Sequence, residues 1–362
     1  MLGAAWSGFP IEYSRAPLNS RVPGQQLGGE NLVWAAWTRA VSLVVRVVYD
    51  SDMSEIGGSP SPALRVGVIG MGAVGPILAV AFMQAGHTLV GVSAHSQTSQ
   101  ERVDAILPGV AVVSPAQLVP ECDLVVFTVR DQEIAPLVTE LAQAQAFRAG
   151  QLVAHVSGAH GLDVLQPAAA AGAIPLALHP AQTFSGTSLD LQRLPGTHWA
   201  VNAPRALLAV AQALVLDLGG VPHVLPDSAR PLYHAALAHG ANHLVIVVSQ
   251  ALRALRMAGL DDPAAFAEPL LKAAFDRALQ EGEAGLSGPV VRGDSQTVAL
   301  HLNALQDGPV LDKDDLDPAL PFDDLADVPD SYRALARAAA QRLRLRGNLS
   351  PTQFDQLRKI LD

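Results

Sequence analysis

Short apolar runs rich in β-branched residues alternate with longer Ala- and Leu-rich runs between residues 65 and 225. The short runs have the length and composition of buried strands, and the longer ones are typical of helices. This alternation indicates a doubly wound α/β fold, in which helices cover both faces of a parallel sheet. Strands are predicted at residues 65–69, 88–93, 123–129, 152–157, 175–180, 198–203 and 221–225. We therefore predict an α/β domain over residues 63–226.

Helical runs replace the strand pattern after Asp227. Ser350, Pro351 and Gln353 have the residue types of a helix start: a capping side chain, a proline in the first turn and the partner of a capping box. Helices are predicted at residues 229–257, 263–280, 295–305, 332–345 and 351–361, and an acidic, proline-containing loop at residues 307–330. Residues 227–362 are therefore predicted to form an all-α C-terminal domain.

Residues 1–62 differ from the rest of the chain. They hold three of the four tryptophans and many Gly, Pro and Ser residues, without a clear strand pattern. One interpretation is a genuine extension with a helix near residues 33–48. The interpretation we favour is a mis-assigned start, with the natural chain beginning at Met53, because a compact sheet domain needs nothing before its first strand. In either case residues 1–62 are predicted to be an extension outside the folded domains.

A glycine-rich segment, GMGAVG, joins the first predicted strand to the first helix. Alone the pattern is weak, but between a β-branched strand and a helix it is typical of a dinucleotide-binding loop. Gly70 permits the tight turn, Gly72 lets the backbone approach a pyrophosphate, and Gly75 allows the helix to pack closely on the strand. The first domain is therefore predicted to be a Rossmann NAD(P)-binding domain. Its predicted phosphate loop comprises Gly70, Met71, Gly72, Ala73, Val74 and Gly75.

The end of the second predicted strand bears on the choice between NAD and NADP. NAD-specific sites place Asp or Glu there, about 20 residues after the loop, to bind the ribose 2′-hydroxyl. This chain has Ser93, Ala94, His95 and Ser96, and no acid before Glu101. A 2′-phosphate would meet no carboxylate there, and Ser93, His95 and Ser96 can donate hydrogen bonds to it. NADP is therefore predicted. Since no arginine stands there and these residues can also be ordinary loop residues, NAD stays an alternative.

Charge and composition restrict the partners. The net charge of −10 argues against binding to nucleic acid or to an anionic membrane. The most apolar N-terminal stretch, residues 32–49, contains Arg39 and Arg46, which are costly in lipid, so no membrane span is predicted. The single cysteine, Cys122, excludes a disulfide framework and a cysteine-based zinc site, and we expect it to pack at a strand entrance. The expected class is a cytoplasmic enzyme with a small-molecule substrate and no metal.

Six segments resemble a bacterial family of Rossmann-like proteins whose helical C-terminal domain has no known function. They are GVIGMGAVG, DLVVFTVRDQEI, AHVSGAHG, LALHPAQTF, YHAALAHGANHL and LSGPVVRGDSQTVALHL, in order between residues 66 and 305. The last two are fairly specific to the family, whereas the first is shared by many dehydrogenases. Relatives of the family are ketopantoate reductase, pyrroline-5-carboxylate reductase and 6-phosphogluconate dehydrogenase. The resemblance implies an NAD(P)-dependent oxidoreductase that forms a homodimer through its helical domain, and it implies no particular substrate.

Further candidates lie at the strand ends, because ligands of open α/β sheets bind outside the carboxyl ends of the strands. The related folds imply that residues 128–130 lie beside the nicotinamide ribose, and Ser157 can present a hydroxyl nearby. His179 ends a strand and is a candidate for the active site, whereas His155 is interpreted as a buried strand histidine. The predicted cofactor contacts outside the loop are Ser93, His95, Ser96, Thr128, Val129, Arg130 and Ser157.

Reducing a carbonyl or an imine requires a proton donor beside the atom that receives hydride. In ketopantoate reductase and the hydroxyacid dehydrogenases this donor is a lysine four residues before an asparagine, on the helix that links the domains. The resemblance matches that asparagine to Asn242, but Ala238 stands where the lysine would be. His239 shares a helical face with Asn242, and histidine is the residue type used most often for proton transfer near neutral pH. We therefore predict His239 as donor and Asn242 as a substrate-orienting residue, and interpret His243 as packing.

The segment LSGPVVRGDSQT resembles a turn that leads into a helix near Ser295. Arg292 offers a bidentate fork for a carboxylate or phosphate, and Asp294 can cap the helix. Two interpretations are open: a role facing the substrate, which we favour, and an Arg–Asp pair that only holds the turn. The predicted catalytic or substrate-binding residues are His179, His239, Asn242, Arg292 and Asp294.

Three functions fit these features. The leading hypothesis is an NADP(H)-dependent reductase of a small carboxylate-bearing carbonyl compound, such as a 2-oxo acid similar to ketopantoate. The second is an imine reductase resembling pyrroline-5-carboxylate reductase, which has less need of a lysine donor. The third is a non-catalytic NADP-binding regulator, which the missing lysine makes reasonable.

Overall fold

The computed structural model of the chain describes residues 63–308 and 325–362. The predictions for residues 1–62 and for most of the loop at 307–330 lie outside the described residues. The chain divides into two compact units, with the boundary between Pro231 and Leu232. The sequence-based boundary lies slightly earlier, between residues 226 and 227. We refer to these as the sheet unit and the helical unit.

The sheet unit is built on a seven-stranded sheet in the order β2-β1-β3-β4-β5-β6-β7. Strands β1 to β5 are parallel to one another, and the order reverses at β1, which is flanked by β2 and β3. The predicted fold class, a doubly wound Rossmann sheet, is confirmed. The strands are β1 (Arg65–Ile69), β2 (Thr88–Ser93), β3 (Leu124–Phe127), β4 (Leu152–His155), β5 (Ile174–Pro180), β6 (His198–Asn202) and β7 (Val221–Val224).

The prediction that the whole sheet is parallel is wrong for its last two strands. Strand β6 runs antiparallel to β5, with His179 opposite Ala200, and β7 runs parallel to β6. The physical reason is the connection: a parallel return needs a crossover, usually a helix along the sheet, and only the short helix Leu189–Arg193 lies between β5 and β6. The carboxyl end of β6 therefore lies at the opposite edge of the sheet from those of β1 to β5.

Helices cover both faces of this sheet. On one face Leu78, Val103 and Val210 join a core with the inward side chains of the strands, and on the other Ile134 and Val138 do so. Cys122 is fully buried in the second core, as predicted, and its thiol donates to the carbonyl of Leu118. The helices of the sheet unit are α1 (Gly75–Gln84), α2 (Gln97–Ile106), α3 (Pro115–Leu118), α4 (Asp131–Gln143), α5 (Gln166–Ala170), α6 (Leu189–Arg193) and α7 (Leu208–Asp217).

No strand follows β7 in the described residues, which confirms the all-α prediction for this part of the chain. Ser350 forms the predicted capping box with Gln353 at the last helix. Val328 begins a helix inside the predicted loop, because Pro329 is tolerated in the first turn. The remaining helices are α8 (Arg230–Met257), α9 (Pro263–Glu281), α10 (Pro289–Arg292), α11 (Ser295–Gln306), α12 (Val328–Leu345) and α13 (Pro351–Leu361).

Helix α8 is long, apolar and exposed. Over residues Asp227–Met257 it is long and apolar enough, by length and composition alone, to cross a membrane, with a mean hydropathy of 1.3 in a window that is only 6% buried. It is the single helix of this kind in the parts of the chain that the structure describes. The prediction that the chain has no membrane span rested on the N-terminal apolar stretch alone and did not cover α8. Its exposed apolar surface requires an explanation.

Candidate functional site

The glycine-rich loop lies where the strand order reverses, at the carboxyl end of β1. The amide of Gly70 donates to the carbonyl of Ser93 at 3.0 Å, which joins the loop to the end of β2. On the other side, the amide of Thr128 donates to the carbonyl of Ile69 at 2.8 Å, which joins β1 to the end of β3. Open α/β sheets bind ligands at this reversal point, so the predicted loop has the expected place in the fold.

The three glycines of the loop have different surroundings. Gly70 has a φ of +102°, which favours glycine, and an added Cβ would lie 2.8 Å from the amide nitrogen of Val129. At Gly75 an added Cβ would lie 2.0 Å from the carbonyl oxygen of Gly70, because α1 begins there against the loop. At Gly72 it would meet nothing within 4 Å. The first and third glycines therefore allow close packing, whereas Gly72 faces open space, as a loop that cradles a pyrophosphate requires.

Other predicted cofactor residues support the loop from within the protein. The hydroxyl of Thr128 donates to the carbonyl of Gly70 at 2.5 Å, and the side chain of Val129 packs against Gly70. Met71 is buried, with 1% of its surface exposed, while Ala73 and Val74 are partly exposed. The structure thus brings Thr128 and Val129 to the loop, where they fix its shape.

The residues after β2 have unequal access to a ligand. Ser93 is buried, with 1% of its surface exposed. Ser96 caps α2, since its hydroxyl oxygen accepts from the amide of Ser99 at 3.1 Å. His95 is exposed. Of the three side chains predicted to meet a 2′-phosphate, His95 is therefore the most accessible.

Two predicted residues at the ends of β3 and β4 are already engaged with the protein. Arg130 forms an ion pair with Glu133 in the first turn of α4. The hydroxyl of Ser157 donates to Asp131 at 2.7 Å and accepts from the amides of Ala159 and His160 at 3.3 Å and 3.2 Å. Ser157 therefore fixes the loop after β4, and its place next to the cofactor stays a prediction.

His155 is fully buried at the end of β4 and uses both ring nitrogens. Its Nε2 donates to the carbonyl of Gly161 at 2.8 Å, and its Nδ1 accepts from the amide of Ser157 at 3.2 Å. Burial lowers the pKa of His155 from 6.5 to about 4, because the charged imidazolium loses its hydration there. The interpretation of His155 as a buried strand histidine is confirmed, and the ring is neutral near pH 7.

Arg230 was not singled out from the sequence, and its side chain is fully buried at the same end of the sheet. It donates to the carbonyl of Ser157 at 3.2 Å and to that of Ala177 at 3.2 Å, and its Nε lies 3.7 Å from the carboxylate of Asp227. Guanidinium suits this place because its planar fork can serve several carbonyls at once. Arg230 therefore positions the ends of β4 and β5. No periodicity in the sequence separates it from an ordinary surface residue.

His179 lies beyond the level at which β4 ends. His155, the last residue of β4, pairs with Ala177, so β5 continues for three more residues and carries His179 past its neighbour. His179 is partly exposed. This position agrees with a candidate for the active site, although its role stays a prediction.

In the helical unit, the predicted proton donor has a histidine neighbour. His239 and His243 are one turn apart on α8, and their Nδ1 atoms lie 2.8 Å apart. His239, Asn242 and His243 are all exposed. Within the helical unit the ring of His243 contacts that of His239, and the interpretation that His243 packs against the sheet domain stays a prediction. The roles of His239 and Asn242 stay predictions.

Arg292 and Asp294 flank the turn between α10 and α11. Asp294 caps α11 by accepting from the amide and the hydroxyl of Thr297, at 3.0 Å and 2.7 Å, and these bonds lower its pKa. Arg292 is exposed, and its carbonyl accepts from Gln353 at 3.1 Å. Gly293 between them has a φ of +69°. The cap and the turn are as predicted, and no ion pair joins the two side chains in the described residues.

Comparison with known proteins identifies both parts of the chain. Residues 35–180 match the Rossmann-like domain family, and residues 197–338 match a domain of unknown function, DUF2520. No curated protein matches the chain in sequence. A Bacteroides fragilis protein provisionally described as an NADP oxidoreductase is similar in structure, with 20% identity, a TM-score of 0.61, and coverage of 77% of this chain and 99% of that one.

Two imine reductases are also similar in structure. The enzyme from Streptomyces aurantiacus is 18% identical, with a TM-score of 0.53 and coverage of 82% of this chain and 99% of its own. A variant of the Myxococcus stipitatus enzyme in complex with NAD⁺ is 18% identical, with a TM-score of 0.51 and coverage of 77% and 94%. At this level of identity the similarity concerns the fold.

Proposed function

Since the chain carries a Rossmann-like domain followed by a DUF2520 domain, we propose that it is an NADP-dependent oxidoreductase acting on a small molecule. One observation supports this most: a strand-loop-helix in which Gly70 and Gly75 are packed tightly while Gly72 faces open space. This geometry fits a dinucleotide, whose pyrophosphate would lie over Gly72 and whose nicotinamide would supply a hydride when bound.

The proposed substrate class is a carbonyl compound with a carboxylate, such as a 2-oxo acid. Arg292 is proposed to bind the carboxylate, because its guanidinium is exposed and, within the described residues, forms no ion pair with the nearby Asp294. His239 is proposed to deliver the proton and Asn242 to orient the substrate. The described part of α8 contains no lysine, so a mechanism that uses a lysine on this helix is excluded.

A cyclic imine is the second candidate substrate. An imine nitrogen is basic and takes up a proton in water, so its reduction depends less on a protein donor than that of a ketone. Two observations favour this class: the absence of a lysine on α8, and the similarity of the fold to imine reductases. Both candidates use the same phosphate loop.

We expect NADPH to be oxidised when the full chain is mixed with one of a panel of 2-oxo acids and cyclic imines, followed by absorbance of the reduced nicotinamide.

Replacing Arg292 with alanine should raise KM for a carboxylate-bearing substrate by about 10- to 100-fold, as expected for loss of a charge-assisted bidentate contact, without changing NADPH affinity. Arg344→Ala, at an exposed position on α12, is the control. An unchanged KM for Arg292→Ala would show that Arg292 does not bind the substrate. Tight NADPH binding by the unaltered chain without turnover of any compound in the panel would indicate a regulator.

We also propose that the helical unit forms a homodimer through α8 and α9. Val245 and Ile246 are 63% and 53% exposed on α8, and Leu270 and Leu279 are 73% and 72% exposed on α9. A lipid bilayer is less suited than a second copy to bury the apolar side chains of α8. His239, Asn242 and His243 lie near the middle of the helix, and polar side chains at the middle of a membrane-spanning helix are costly in lipid. A second copy can bury these apolar positions and leave polar ones hydrated at the rim.

Sedimentation of the full chain should therefore give about twice the monomer mass of 37.8 kDa. Ile246→Glu should shift the species to the monomer, because a carboxylate in an apolar interface is costly to bury. Leu345→Glu, at a position 87% exposed on α12, should leave the dimer intact. A monomer at micromolar concentration, or binding of the unaltered chain to lipid vesicles, would contradict the proposal.

A further inference from the structure

A short turn after β5 lies between the phosphate loop and α2. At Gly186, where φ is +76°, an added Cβ would lie 3.2 Å from the Cα of Ala73 and 3.6 Å from the Nε of Arg102. Ala73 belongs to the phosphate loop and Arg102 to α2. The turn at Gly186 therefore lies close to both the phosphate loop and the guanidinium of Arg102. No arginine follows β2 directly, and Arg102 is instead supplied by α2.

The turn is held by a buried carboxylate. Asp190 is fully buried and accepts from the amides of Ser185 and Gly186, both at 2.8 Å. Arg193 lies 3.8 Å from the same carboxylate. Hydrogen bonds from backbone amides to a buried carboxylate fix the backbone. The turn therefore has a defined conformation before any ligand binds.

A cavity of about 540 Å³ lies between this turn and α2, and the apolar side chains of Val80 on α1, Ala105 and Ile106 on α2, and Leu191 on α6 also line it. Thr98 and Arg102 are one helical turn apart and line it from α2, while Thr187 and Ser188 line it from the turn. Arg102 has no hydrogen bond or ion pair to another side chain in the described ranges 63–308 and 325–362. Glu101, which also lines the cavity, accepts from Gln97 at 3.0 Å. The cavity thus presents one available guanidinium and three hydroxyls, a donor set suited to a phosphate.

The position of Arg102 and these hydroxyls relative to the phosphate loop indicates which phosphate of the cofactor they would bind. The pyrophosphate of a bound dinucleotide would lie at the start of α1, over Gly72. The adenosine ribose would lie at the end of β2, from which the chain continues into α2. Arg102 lies on α2, next to the loop, on the adenosine side of the site.

We propose that Arg102, with the hydroxyls of Thr98, Thr187 and Ser188, binds the 2′-phosphate of NADP(H) and selects it over NAD(H), an assignment that rests on the proposed function. Thr187 and Ser188 contribute to this subsite from the turn after β5, opposite Thr98 and Arg102 on α2. His95, which is exposed after β2, is then an outer contact and not the main selective group.

The experiment is to titrate the full chain and Arg102→Gln with NADPH and with NADH, following nicotinamide fluorescence. The variant should bind NADPH about 10- to 100-fold more weakly, the effect of losing one charge-assisted phosphate contact, and should bind NADH within about twofold of the unaltered chain. Arg205→Gln is the matched control. Arg205 is an exposed arginine in the same unit, but it follows the carboxyl end of β6, at the opposite edge of the sheet.

Each outcome has one meaning. Selective loss of NADPH affinity in Arg102→Gln, with no effect of Arg205→Gln, supports the assignment. Equal weakening of NADPH and NADH, or no change in either, overturns it while leaving the proposed function intact. If the unaltered chain binds neither nucleotide, the proposed function fails and the assignment fails with it.

Discussion

Replacing Gly72 with aspartate should abolish NADPH binding and leave the fold unchanged. An added Cβ at Gly72 meets nothing within 4 Å, so the substitution costs little in the free protein. The new carboxylate would project into the space proposed for the pyrophosphate, where sterics and like charge both oppose binding. We expect the dissociation constant to rise at least about 100-fold, equivalent to about 3 kcal/mol, with the melting temperature nearly unchanged.

Gly75→Ala provides the contrast. Its Cβ would lie 2.0 Å from the carbonyl oxygen of Gly70 and 2.7 Å from the hydroxyl of Thr128, so the loop and the start of α1 must move. This variant should lose both NADPH affinity and thermal stability, whereas Gly72→Asp loses affinity alone. Full NADPH affinity in a folded Gly72→Asp protein would refute the assignment of the phosphate loop.

Acidification should destabilise the sheet unit through His155. Its pKa is about 4 in the folded protein, against an ordinary value of 6.5, because the ring is buried. In the unfolded chain His155 is therefore protonated below pH 6.5, whereas in the folded chain it stays neutral until about pH 4. The contribution of His155 is fully present above pH 6.5 and is lost as the pH falls to about 4, by about 3 kcal/mol in all.

Carboxylates also titrate between pH 7 and pH 4. The measurement is therefore the difference in the free energy of unfolding between the unaltered chain and a variant without His155. His155→Gln keeps an amide donor for the carbonyl of Gly161 and does not titrate. In urea unfolding from pH 7 to pH 4, its free energy of unfolding should fall less than that of the unaltered chain. The gap between the two should change by about 3 kcal/mol over this interval. Parallel pH profiles would show that His155 is not the buried neutral group described.

The strands and the phosphate loop were predictable because local patterns determine them. The bounds of β1 and β2 agree with those predicted, since each is an apolar run ended by residues that stop a strand. The glycines of residues 70–75 are a weak signal alone, but their place between a β-branched strand and a helix is typical of a dinucleotide-binding loop. The capping box at Ser350 was likewise predictable from three residues alone.

Features that depend on distant parts of the chain were not predictable. The reversal of β6 depends on how the chain returns after β5, and its residues fit a parallel strand equally well. Arg230 is buried because it reaches the carbonyls of Ser157 and Ala177, far away in the sequence. Arg102 and the phosphate loop both lie next to Gly186, whose turn is held by Asp190 from a distant part of the chain. Each of these contacts is made by tertiary packing, which no local pattern encodes.

The central claim is that the loop at residues 70–75 binds a nicotinamide dinucleotide. The most direct measurement is the equilibrium titration of the unaltered full chain with NADPH, followed by nicotinamide fluorescence. We predict saturable binding of one NADPH per chain with a dissociation constant in the micromolar range, within the range of typical KM values of enzymes. The absence of saturable binding of either NADPH or NADH up to about 1 mM would contradict the claim.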